Sequence, residues 1–74
     1  MMDLHKKNQS DPPQKEINFV LNIFNLNKLD EAKKKVEKLL TQYTNSSILY
    51  NILGAILAGQ NNLNESIKNY NKAI

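Results

Sequence analysis

Leu29-Asp30-Glu31-Ala32 and Leu63-Asn64-Glu65-Ser66 are one phrase written twice, at the offset that carries Leu29 onto Leu63. The echo continues on both sides. At the same offset Phe19 meets Leu53, Ile23 meets Leu57, Asn27 meets Asn61, Val36 meets Tyr70, Leu39 meets Ala73 and Leu40 meets Ile74. Apolar positions fall on apolar positions, and an Asn falls on an Asn at the same break. A period of this length marks a solenoid unit, which cannot bury its apolar face alone and must stack on a neighbour.

Within each period the apolar spacing is helical. Asp11-Pro12-Pro13-Gln14 reads as a helix start, with proline tolerated where an N–H would go unpaired and Asp11 placed to accept from free amides. A first helix from about Pro13 to Leu26 carries Ile17, Phe19, Val20, Leu21, Ile23, Phe24 and Leu26, a stripe wide enough for two neighbours. Asn25-Leu26-Asn27-Lys28 ends it, since Asn enters the left-handed conformation more readily than other non-glycine residues. A second helix, Leu29 to about Tyr43, aligns Leu29, Ala32, Val36, Leu39, Leu40 and Tyr43 on one face, with Glu31 and Lys35 in the favoured i,i+4 order opposite. Thr44-Asn45-Ser46-Ser47 offers caps for a third helix to about Ala58, apolar nearly all round and so expected between others. Gly54 in its middle costs roughly 1 kcal/mol against Ala, which implies a close helix approach there. Gly59-Gln60-Asn61-Asn62 breaks the chain again, and a fourth helix from Leu63 places Leu63, Ser66, Ile67, Tyr70, Ala73 and Ile74 on one face.

The expected fold is therefore all-α: two tandem helix-turn-helix repeats, four antiparallel helices beginning a right-handed α-solenoid. Residues 1–11 form a flexible leader, residues 12–45 the first repeat, and residues 46–74 a second repeat ending short of a full unit.

Composition narrows function by exclusion. The chain has 74 residues, 41% of them hydrophobic, and no Cys. Its one histidine, His5, stands in the polar leader, so neither a zinc cluster nor a histidine-based catalytic group is expected. Net charge is +3, carried by ten Lys and no Arg, and the Lys residues alternate with Glu. Nucleic-acid binders cluster Arg with aromatic side chains that stack on bases, so no nucleic-acid partner is expected. No stretch reaches the roughly 18 apolar residues of a membrane span, and no secretory h-region precedes residue 16, so a cytoplasmic protein without a membrane partner is expected. The seven acids, Asp3, Asp11, Glu16, Asp30, Glu31, Glu37 and Glu65, fall on the leader, turns or polar faces, and the two glycines form no phosphate loop. No enzymatic activity and no cofactor or metal are expected of this chain.

Two antiparallel helices per period, joined by a tight turn, resemble the tetratricopeptide repeat. The second unit carries the signature order of a large aromatic, Leu-Gly, a large residue, a small residue, an aromatic and Ala as Tyr50, Leu53, Gly54, Leu57, Ser66, Tyr70 and Ala73. The first unit is degenerate, with Glu16 for the aromatic, Val20 for the Gly and Thr44 for the closing proline. The resemblance covers about residues 13–74 and implies a protein–protein interaction module. In that family the first helix of each repeat lines a concave groove for a peptide or partner helix. By position that groove would comprise Gln14, Ile17, Asn18, Leu21 and Asn25 from the first unit, and Ile48, Asn51, Ile52 and Ala55 from the second. Ile17 and Leu21 stand where carboxylate-clamping members carry Lys and Asn, so that clamp is absent. Asn18 matches an asparagine-ladder position, but its equivalent is Ile52, with Asn51 one residue early. The alternative implied by such repeats is the N-terminal, substrate-recruiting part of a larger enzyme, for example a sulfotransferase or glycosyltransferase. Lys33, Lys34 and Lys38 offer a rival outer-face contact with an acidic partner or nucleic acid, diluted by Glu31 and Glu37.

The last helix carries one more expectation. Nothing in the sequence follows to cover its flank, so Ile56, Ile67, Tyr70 and Ile74 are expected to form an apolar strip through which the chain associates as a homodimer.

Overall fold

A computed structural model describes residues 11–74. The leader through Ser10, with His5 and Asp3, lies outside the described residues. Four helices follow: α1 (Gln14–Asn25), α2 (Leu29–Leu40), α3 (Ser47–Gly59) and α4 (Leu63–Ala73), with no strand among the described residues. The fold is all-α, built as two helix-turn-helix units. Backbones approach in chain order, α1 on α2, α2 on α3 and, most extensively, α3 on α4.

The two units turn by the same device. Asn27 and Asn61, equivalent positions of the two units, have φ of 63° and 68° and are the non-glycine residues with positive φ among those described. At the first turn Lys28 N donates to Ile23 O and Asn27 N to Phe24 O. At the second Asn62 N donates to Leu57 O and Asn61 N to Ala58 O. This pair of 6→1 and 5→2 bonds is the Schellman closure, and it satisfies carbonyls that a helix end would otherwise leave unpaired. The next helix starts alike in both units, with Ala32 N donating to Lys28 O and Ser66 N to Asn62 O, each at 3.0 Å.

The core is one continuous layer. Ile17, Val20 and Ile23 of α1, Ala32, Val36 and Leu39 of α2, and Leu49, Ile52, Leu53, Ile56 and Leu57 of α3 are buried together. No α4 hydrophobic joins them; α4 buries Ser66 and Asn69 instead. It is held to α3 at Gly54, where a Cβ would come within 2.8 Å of the Tyr70 ring. Ser66 Oγ also donates to Gly54 O at 2.8 Å, so the close crossing expected of Gly54 lies on α4. In the first unit the places of Gly54 and Tyr70 belong to Val20 and Val36, both fully buried. Two medium side chains there are exchanged for none and a large one here.

Several local expectations are corrected. Asp11 does not cap α1; its carboxylate accepts from Ser46 Oγ at 2.6 Å, and Pro13 stands at the N-cap of α1 with no side-chain capping bond. Ser46 is fully buried and also accepts from Leu49 N, so one hydroxyl caps α3 and ties down the entry to α1. α2 ends at Leu40 rather than near Tyr43; at its C-cap Thr41 Oγ1 donates to the Lys38 carbonyl at 2.6 Å, competing with a further helical turn. Lys35 turns away from Glu31 to Glu16 of α1, at 3.4 Å.

Three stability measurements check this account. Asn61→Val should lose about 1–2 kcal/mol in urea unfolding, the cost of a β-branched residue in the left-handed region, whereas Asn61→Gly should be neutral or stabilising. Gly54→Val should lose about 1–3 kcal/mol by overpacking. Adding Tyr70→Val, which recreates the Val20/Val36 arrangement, should recover much of that loss, and simple additivity of the two changes would refute the volume exchange. Ser46→Ala should cost about 1–2 kcal/mol through the lost cap.

Candidate functional site

The expected groove residues divide into a solvent face and a floor. On α1, Gln14, Asn18 and Asn25 are exposed and Leu21 is 37% exposed. They recur at steps of four, three and four along one strip of the helix. On α3, Asn51 is exposed while Ile48 and Ala55 are half-buried. Ile17 and Ile52 are not available to a ligand. They are 2% and 8% exposed and belong to the core, because each faces inward between the helices it joins.

Position explains this split. Ile17 and Asn51 are equivalents, but Ile17 is covered and Asn51 is open. Asn18 and Ile52 are equivalents in the reverse sense, one open and the other covered. The two asparagines therefore do not form a ladder at a common register. What remains is a strip of amide and aliphatic groups on α1 and a second set on α3, with no formal charge among Gln14, Asn18, Leu21, Asn25, Ile48, Asn51 and Ala55. Gln14 Nε2 donates to Asn18 Oδ1 at 3.0 Å. That bond fixes the Asn18 amide plane and leaves its NH₂ to donate outward.

Two further concavities have no signature in the sequence. One, of about 320 Å³, is lined by Lys15, Glu16, Phe19 and Lys35 at the α1–α2 edge. There the Lys35 ammonium lies 3.4 Å from Glu16 and 5.3 Å from the centroid of the half-exposed Phe19 ring. The other, of about 370 Å³, lies between α2 and α4 over Leu53 and Leu57. Its rim combines Lys33 and Lys72 with Glu37 and Glu65, so it offers no field of one sign. Lys33 thereby shares its rim with carboxylates, which weakens the lysine cluster expected on the outer face. Lys35 stands on a different helix from Glu16 and Phe19, so no helical periodicity in the sequence could have paired them.

The expected self-association strip also divides. Ile67, Tyr70 and Ile74 are 58%, 40% and 101% exposed, and Leu63 joins them at 57%. Ile56 does not belong there, for it is fully buried. It lies one turn from Gly59, whose α-carbon faces Leu29 of α2, and nearly opposite Gly54, which faces α4. It therefore points into the first unit.

Among the described residues no helix is long and apolar enough to cross a membrane. A scan against protein-family models, a search of curated proteins and a search of solved structures each returned no match.

Proposed function

We propose that the chain is a protein-interaction module of two tetratricopeptide-like repeats that receives an extended peptide across α1 and α3. The observation that carries this reading is the uncharged, exposed strip Gln14, Asn18, Leu21 and Asn25 on α1, with the half-buried Ile48 and Ala55 on α3. Its Asn18 amide is already oriented by Gln14. Side-chain amides both donate and accept, which suits the alternating N–H and C=O groups of a peptide backbone. Leu21 supplies the apolar contact that such a backbone-directed site needs for a side chain. The matched turns at Asn27 and Asn61 support the repeat reading, because unrelated helical hairpins have no reason to share a register of backbone closures.

The reading is tested by selecting a displayed peptide library on the immobilised protein and titrating an enriched peptide. Leu21→Glu should weaken binding by at least about tenfold, the scale of a lost anchor residue. Asn18→Ala should weaken it less, and Lys34→Ala, on the outer face of α2, should leave it unchanged. Both groove residues are exposed in the free protein, so their variants should keep the parent circular dichroism. Failure of any peptide to enrich, or equal binding by Leu21→Glu, would refute the site.

A further inference from the structure

The four positions Leu63, Ile67, Tyr70 and Ile74 of the last helix have equivalents Leu29, Lys33, Val36 and Leu40 on α2. On α2 none of the four is exposed, because α3 lies over them; on α4 all four are. Three aliphatic side chains and a tyrosine thus stand open where the same fold elsewhere requires a helix.

Their spacing defines the kind of cover. Steps of four, three and four form a heptad seam, the pattern by which one helix packs along another. Asn64 and Asn71 border the seam on one side, and Ser66 and Ala73 border it on the side turned to α3. All four bordering residues are uncharged. The charges of α4 lie on its far face and are engaged there: Lys68 is 3.5 Å from Glu65, and Lys72 lies 5.5 Å from the Tyr50 ring centroid. A second positively charged copy can therefore approach the seam without bringing like charges together.

The opposite end of the stack disfavours the other simple arrangement. Leu49, Leu53 and Ile56, through which α3 meets the first unit, have Lys15, Phe19 and Asn22 as equivalents on α1. Phe19, the one apolar member, lies beneath the Lys35 ammonium, itself paired with Glu16. A head-to-tail stack would bury charges against the apolar seam, which is costly without matched partners. A seam that finds no complement on the molecule's other end can still be matched by itself. We infer that α4 is the interface of a two-fold dimer, in which the seams of two copies run antiparallel with Ile67 and Tyr70 nearest the axis. The four side chains expose on the order of 500 Å² per copy, the size of patch that marks an interface. That falls somewhat below the roughly 800 Å² per partner of a standard complex, which places the dimer among small, reversible interfaces. The α1–α3 strip stays open in such a dimer, and the inference does not rest on the proposed peptide site.

Sedimentation equilibrium of the full chain, from low micromolar to near millimolar, tests it. A monomer–dimer equilibrium is expected, with no larger species. Ile67→Glu should raise its dissociation constant by at least about tenfold while leaving the circular dichroism unchanged, since Ile67 is exposed in the monomer. Phe19→Glu, at the other end, should leave the equilibrium as it is. A monomer throughout, or a dimer indifferent to Ile67→Glu, would overturn the inference. So would a ladder of larger species abolished by Phe19→Glu, which would mean head-to-tail stacking.

Discussion

Each helix pair depends on one asparagine held in the left-handed conformation. Without positive φ at Asn27 and Asn61, the chain could not reverse within the few residues that separate α1 from α2 and α3 from α4. The two backbone bonds that close over each Asn also remove orphaned carbonyls, so the turn is both a geometric and a hydrogen-bonding solution. Because both turns use the same bonds, the second helices of the two units leave their turns in the same way. That common start brings Ala32 and Ser66 to matching buried places, and it sets the offset between the units.

From that constraint the units diverge by chemistry. The first is sealed by aliphatic packing, with Val20, Ala32 and Val36 all fully buried. The second closes through a glycine, a tyrosine ring and the Ser66 hydroxyl on the Gly54 carbonyl. A hydroxyl bonded to a helix carbonyl is directional where methyl packing is not, so it orients α4 as well as attracting it. α4 needs such a bond, because most of its large apolar side chains face away from α3.

The two ends of the stack are consequently unlike. One presents Lys15, Glu16 and Lys35 around a screened Phe19, and the other presents a bare heptad seam. Between them lies the α1–α3 face, where an amide-rich composition leaves hydrogen-bonding groups without fixed charge. Association through α4 and peptide capture across α1 and α3 would use separate surfaces.

The amino-acid order determined what is local. Helix limits to within a few residues, a left-handed Asn in the 25–28 stretch, a cap in the 44–47 stretch and the close crossing at Gly54 follow from spacing and from single-residue conformational preferences. Those preferences act over a turn or two of chain. Only the tertiary structure decided that Ile17, Ile52 and Ile56 lie in the core, while Phe19 stays half-exposed and Leu63 joins the open strip on α4. It also decided that Asp11 binds Ser46, 35 residues away, and that Lys35 binds Glu16. Helical periodicity states which residues share a face, but burial depends on whether another helix occupies that side. A polar side chain, likewise, bonds whichever partner the packing of distant segments brings within reach.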